Sequence, residues 1–242
     1  MSYIMTVIIP VSFHENNWQS LGLVLAATHD QTTRNGAFSF FEVYFIGANN
    51  EHERQFHLSD LSSIDCFHWT TSERQNRAYQ MNLGASTAKG ELLLFLHADS
   101  SIDVCLLNSY LKCYQSFSSK KSKAIYYSKL RFLNDGPRFC IINAYLANLR
   151  SFWFSLPFGD QGLMIPSSMF FSLGQFSVDS TLPEDFDFVL RAKHQKFILK
   201  KTPCTISTSA RTYKKGWLKT SFHHIKITVF GHLHMIKSLK QR

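Results

Sequence analysis

At 242 residues, 45% apolar and only 18% charged, the chain is long enough for one large domain with a substantial core, and too apolar for a disordered polymer. Its five cysteines, Cys66, Cys105, Cys113, Cys140 and Cys204, are odd in number and show no CxxC spacing. That pattern excludes a disulfide frame or a thiolate zinc site and reads as the reduced thiols of a cytosolic protein. The formal charge of +9 is unevenly placed: every acidic residue lies at or before Asp187, whereas 13 Lys or Arg fall between Arg191 and Arg242. A neutral-to-acidic body with a basic C-terminal quarter suits an anionic partner, whether a diphosphate, an anionic membrane or nucleic acid; the plain alternative is a solvated basic surface.

Met1-Ser2-Tyr3-Ile4 leads directly into a strand-like run without the basic start or cleavage site of a signal peptide. No window approaches the ~20 uncharged apolar residues of a membrane helix. The expected location is cytoplasmic, with contact at the inner face of a membrane left open for the basic quarter.

In chain order, "YIMTVIIPV" is an apolar, β-branched run followed by a helix-compatible stretch from about Asn17 to His29. "FFEVYFIG", Phe40 to Gly47, predicts a second strand and "IDCFHWT", Ile64 to Thr70, a third. "RQNRAYQMNLGASTAKG" has helical spacing, with Gly90 as a candidate C-cap. "ELLLFLHA" then reads as a fourth strand. Apolar strands that scarcely alternate, separated by helices, predict a mostly parallel sheet covered on both faces. The second half is less regular: a polar turn "SFSSKKSK", a strand "AIYYSKLRFL", an apolar helix from about Ile141 to Leu156, and "PFGDQGLMIP" leading into a short strand. No repeat, low-complexity tract or linker divides the chain, so a single domain is expected.

The fourth strand ends in His97-Ala98-Asp99. In open parallel sheets ligands bind beyond the carboxyl ends of the strands, where Asp99 could offer an oxygen to a hard divalent cation beside phosphates. The alternative is a helix-capping Asp. "TLPEDFDFVLRAKHQ" places Glu184-Asp185 at the start of an amphipathic helix whose buried stripe is Phe186, Val189 and Leu190. A carboxylate there is stabilised as the anion and can accept a proton, although acidic residues also favour helix N-termini with no catalytic role.

"NRAYQMNLGA", "LLFLHAD", "PFGDQGLMI", the Glu184-Asp185 helix start and "TSARTYKKGW", in this order, resemble the family 2 glycosyltransferases of the GT-A fold. The closer resemblance is to the subfamily often labelled arsenosugar-biosynthesis-type. It runs from about Val7 to the Arg211 region. It implies an α/β, Rossmann-like GT-A domain. Residues 1–100 would form the half that binds the nucleotide sugar, 101–215 the acceptor half, and 216–242 a basic C-terminal helix.

The resemblance also implies a nucleoside-diphosphate sugar as donor, a UDP-sugar being favoured, an acceptor hydroxyl and transfer with inversion. Asp99 would bind Mn²⁺ or Mg²⁺, Asp185 would act as general base beside Glu184, and Asp160 and Gln161 would line the acceptor side. Pro10, Val11, Glu15, Gly47, Arg77, Asn82, His97, Ala98 and Arg211 would contact the donor.

Two departures fall in the base pocket. Ile46 stands where members usually end the second strand with Asp, and Pro10 to Glu15 is one residue out of step with Pro-Val-x-Asn-Glu. Two rival readings therefore stay open: a nucleotide-sugar-binding relative impaired in transfer, and a protein that uses the basic quarter on membranes or, less favoured, on nucleic acid. In the tail, Phe222, Ile225, Val229, Leu233 and Ile236 fall near helical spacing, so the segment could lie on an anionic membrane or pack on the domain. His223, His224, His232 and His234 lack a carboxylate or Cys partner and are read as non-ligand histidines.

Overall fold

The computed structural model describes residues 3–34, 40–103, 105–118, 123–222 and 225–229. Eight strands form one sheet in the order β3-β2-β1-β4-β7-β6-β8-β5. β1 (Met5–Val11) pairs parallel with both β2 (Phe41–Gly47) and β4 (Leu92–Phe95), and β3 (Phe67–Thr71) extends this half in parallel. The other half is entered through β7 (Leu163–Pro166), antiparallel to β4 and to β6 (Ala124–Phe132). β8 (Ile198–Thr208) lies parallel to β6 and is edged by the antiparallel two-residue β5 (Ser100–Ser101).

All seven residues of β1 and all seven of β2 are buried. The reason is visible in the two cores. Val7 and Ile9 point into one, with Trp18, Leu21 and Leu25 of α1 (Trp18–Arg34) and Leu106, Leu107 and Tyr110 of α4 (Cys105–Ser118). Ile8 points into the other, with Ala78, Met81 and Ala85 of α3 (Arg77–Thr87), Phe170 of α6 (Ser167–Ser172) and Phe186, Phe188 and Val189 of α7 (Glu184–His194). Each face of the strand has its own apolar layer, so alternation with polar residues would leave polar groups dry. Each fully buried Phe or Leu contributes roughly 1.5–3 kcal/mol of transfer free energy. α2 (Asn50–His57) and α5 (Cys140–Phe154) are further helices, the latter packed on β6, and residues 217–222 and 225–229 are helical.

The expected mostly parallel sheet with helices on both faces is observed, and α7 begins at Glu184 with Phe186, Val189 and Leu190 buried. α1 runs to Arg34, beyond the expected His29. One capping assignment is corrected. α3 is closed by Ala88, and Gly90 serves a different purpose: a Cβ there would lie 2.6 Å from the backbone of Met5 and Thr6. The glycine lets the chain pass closely beneath β1 as it enters β4. Helices α2 and α4 and the long strand β8 were not expected.

Pro10 sits within β1 without breaking a ladder. The β1–β4 pairing stops at Ile8–Phe95, with Leu96 donating its N–H to Ile8 at 3.0 Å, so Pro10 lies beyond the last bond on that side. The strand ends of β1 and β4 therefore open together. All five cysteines are free. No helix among the described residues is long and apolar enough to cross a membrane. Leu233, Ile236 and the four tail histidines lie outside the described residues.

Candidate active site

A cleft of about 490 Å³ opens beyond the carboxyl ends of β1 and β4. Pro10 reaches it from the end of β1, Glu15 from the loop that follows, and Arg77 from the start of α3. His97, Ala98 and Asp99 follow β4, Asp160 follows α5, and Glu184 and Asp185 begin α7. Residues 175 positions apart in sequence, Pro10 and Asp185, thus share one cavity because two strand ends, two helix starts and the turn after α5 converge on it.

Asp185 is buried and held from three sides. The Gly159 amide donates to its Oδ2 at 2.5 Å, the Phe186 amide to Oδ1 at 2.7 Å, and Arg77 Nη2 stands 3.5 Å from Oδ2. Arg77 also donates through Nε to Glu184. Burial works against the Arg77 charge, but Asp185 and Glu184 more than offset it, and the guanidinium pKa rises. Arg77 thereby bridges the N-termini of α3 and α7, each positively polarised by its own helix.

His97 is buried against this group. Burial, aided by the Arg77 charge, holds its pKa well below the usual imidazole value, so the ring is neutral; its Nε2 has no hydrogen-bond partner among the described residues. Asp99 accepts from the Thr208 hydroxyl at 3.3 Å, and burial raises its carboxyl pKa. Its other oxygen lies 3.7 Å from Arg211 Nη2. The next helix begins only at Cys105, so Asp99 does not cap it.

Arg211 is ion-paired with the buried Glu15, whose Oε1 accepts the Asn17 amide at 2.8 Å. Asp135 positions Arg211, accepting from the Ser209 hydroxyl at 2.5 Å and the Ala210 amide at 2.7 Å. Asp160 differs from its neighbours. Its Oδ1 is buried without a hydrogen-bond partner among the described residues, and burial raises its pKa to about 6, against the pull of Arg150 and with the push of Asp185.

The structure brings Pro10, Glu15, Arg77, His97, Ala98, Asp99, Asp160, Glu184 and Asp185 to the cleft, with Arg211 on its rim through Glu15 and Asp99. Four other named residues face elsewhere. Val11 is in the core, its carbonyl accepting from Gln80 at 3.1 Å. Gly47 lies under Trp69, whose ring would stand 2.5 Å from an added Cβ. Asn82 exchanges hydrogen bonds of 2.8 and 3.0 Å with the Phe176 backbone. Gln161 is fully buried and ties Ser151, Phe158 and Ser128 together. Ile46, in the place of the family's Asp, is a core residue beneath Gly84.

Sequence reasoning missed Asp135, Thr208 and Arg150. Arg150 carries a legible signal: it is the one charge in the fifteen residues of α5. Its guanidinium stacks 3.5 Å above the Phe158 ring, and Nε donates to the Leu156 carbonyl at 2.8 Å.

Among the described residues no group of three His, Cys, Asp or Glu could hold a metal ion. Asp99 offers one carboxylate. That suits only a cation which takes most of its ligands from a substrate diphosphate and water, as Mg²⁺ commonly does.

An open sheet with its cleft beyond the strand ends and helices on both faces is the GT-A fold, and the chain has that fold. It is similar over 98% of its length to the mannosyltransferase PcManGT from Pyrobaculum calidifontis in complex with GDP-Man and Mn²⁺, at TM-score 0.66 and 14% identity. It is similar over 85% of its length to S. aureus TarS 1–349 in complex with UDP-GlcNAc, at TM-score 0.55 and 14% identity. The matches cover 65% and 58% of those two chains. No protein-family model and no curated protein matches this sequence.

Proposed function

We propose that the chain is a glycosyltransferase that moves a sugar from a nucleoside diphosphate to an acceptor oxygen, with inversion. The observation that carries this reading is the single cleft in which Arg77, Arg211 and Asp99 stand around a space faced by Asp160 and Asp185. Support also comes from the two similar structures, which hold a UDP-sugar and a GDP-sugar.

In this reading the donor diphosphate lies between Arg77 and Arg211. Their charges stabilise the negative charge that grows as the bond from the anomeric carbon to the phosphate oxygen breaks, its electron pair leaving with the nucleoside diphosphate. Asp99 is the residue that would hold Mn²⁺ or Mg²⁺, which when bound supplies Lewis-acid charge to the same phosphates. The acceptor oxygen attacks the opposite face of the anomeric carbon while its proton passes to a carboxylate. Asp185 is the base implied by the family resemblance, held in position by two amides and Arg77.

A second reading of the base rests on one observation. Both Asp185 oxygens already accept hydrogen bonds, whereas Asp160 has an oxygen without a hydrogen-bond partner among the described residues and a pKa of about 6, suited to proton transfer near neutrality. In that case Asp185 holds Arg77 and the Gly159 turn, and Asp160 takes the proton. Loss of transfer in Asp160→Asn with turnover surviving in Asp185→Asn would select this assignment.

The test of the whole reading is thermal stability with UDP, GDP and their common sugars, with and without Mn²⁺, on the wild type and Asp99→Asn. A rise in Tm that needs both nucleotide and metal, and is lost in the variant, is the expected result. No shift with any nucleotide would overturn the transferase reading.

A further inference from the structure

α5 is an unusual surface helix. Its outer side carries Ile141 (74% exposed), Tyr145, Phe152 and Trp153 (71% exposed), and Phe139 and Phe154 extend the patch at either end. Single exposed apolar residues are ordinary, but a contiguous patch of large aromatic and aliphatic side chains marks an interaction site. Across from it stands the segment of helical residues 217–222 and 225–229, tied to α5 through Asn143, which accepts from Trp217 Nε1 at 2.7 Å and donates to Ser221 at 2.8 Å.

Between the two lies a groove of about 420 Å³, walled by Leu130, Ile142, Leu146, Phe222, Ile225 and Val229. Its inner end adjoins the cleft. Phe132, Phe158, Asp160 and Tyr213 line both this groove and the cleft. Arg150 also lines it, with Nη2 buried and without a hydrogen-bond partner among the described residues. The groove is thus mostly apolar along its length, with Asn143, Ser221 and Thr228 as neutral polar groups in its wall, and carries charge only where it meets the site.

Charge identifies the occupant. No Asp or Glu occurs from Gly136 to Leu156 or anywhere after Asp187. Lys201 Nζ stands 5.9 Å from the Phe152 ring, Lys193 donates to the Phe154 carbonyl, and Lys214, Lys219 and Lys226 are exposed. An apolar face with Lys193 and Lys201 at its edge matches an anionic bilayer, where aromatic side chains enter the interfacial region and lysines meet lipid headgroups. We propose that the α5 face docks on an anionic lipid surface, and that the groove takes the hydrocarbon tail of a membrane-resident acceptor whose headgroup enters the cleft past Arg150. The clause on the acceptor rests on the transferase reading; the docking does not.

The full chain is sedimented with vesicles of phosphatidylcholine alone and of phosphatidylcholine with phosphatidylglycerol. Ile141→Glu and Trp153→Glu, both on exposed positions, serve as variants that keep the wild-type Tm. Binding to the anionic vesicles that falls about tenfold or more in each variant, and weakens with added salt, is the expected result. Trp217 reports the groove: in Trp153→Phe, lipids brominated on the acyl chain should quench its emission. Failure to bind anionic vesicles, or a lipid-free dimer broken by Ile141→Glu, would overturn the docking. Vesicle binding without Trp217 quenching would overturn the groove assignment. The nucleotide Tm test involves no lipid. Docking with no nucleotide shift would thus sink the acceptor clause with the transferase reading, and a nucleotide shift without docking would sink only the present proposal.

Discussion

The amide of Gly159 lies 2.5 Å from Asp185 Oδ2, and no other residue type fits at position 159 without moving the site. A Cβ there would stand 2.8 Å from Asp185 Oδ2 and 2.9 Å from His97 Nε2. Gly159→Ala should therefore leave the fold intact by circular dichroism while displacing the carboxylate. Displacement of this order costs about 10²-fold in rate. A kcat within a factor of about two of wild type would show that Asp185 needs no such placement.

Asp160 makes stability depend on pH. Its folded pKa of about 6 exceeds the usual carboxyl value, so between about pH 4 and pH 6 the folded state binds more protons than the unfolded state. Stability consequently falls as pH rises through that window and stays reduced above it. Asp160→Asn removes this loss and should raise stability at pH 7 by about 1–3 kcal/mol relative to wild type, with little gain at pH 4. Urea unfolding at both pH values measures the difference; equal gains would contradict the assigned titration.

Glu15 is buried with Arg211 as its cationic partner. Arg211→Met should cost about 1–3 kcal/mol, less than for a fully buried pair because Arg211 is half-exposed to solvent. Adding Glu15→Gln should recover part of that loss, since the stranded charge is then gone. A double variant no more stable than Arg211→Met would place the cost in lost packing, because the Arg side chain also covers apolar surface.

Phe170 holds α6 and α7 on the sheet. Its ring is fully buried, with centroids of Phe95, Phe176 and Phe188 at 5.0, 5.2 and 5.4 Å. Phe170→Ala should cost about 3–5 kcal/mol. Because α7 carries Glu184 and Asp185, saturating donor concentrations should recover part of the lost Tm if the nucleotide binds the folded state alone.

Much of the fold was legible before any coordinate. β1, β2 and β4 are nearly uninterrupted apolar runs, and a strand buried on both faces can be little else. α7 announced itself by acidic residues at its start and an apolar stripe behind them. α2, by contrast, buries only His52 and Phe56 in a segment that is otherwise charged and polar, so periodicity scarcely marks it. β8 pairs with β6 along its whole length, yet its first half carries exposed Ile198, Lys200 and Lys201 and only its end is continuously buried; its strand character comes from that neighbour.

The site divides along the same line. Sequence by itself determined which groups were candidates, because His97-Ala98-Asp99 and Glu184-Asp185 fall at the ends of recognisable elements. It also determined the asymmetry of charge that leaves the C-terminal quarter without an acid. Only the tertiary structure decided which of these groups meet. The Arg77–Asp185 and Glu15–Arg211 pairs span 108 and 196 residues, distances at which no local propensity acts. It likewise gave Gln161 and Asn82 structural bonds, left one Asp160 oxygen without a partner among the described residues, and joined the α5 groove to the cleft. Burial and long-range pairing are properties of the packed chain, since a polar group's environment exists only once distant segments have excluded water from it.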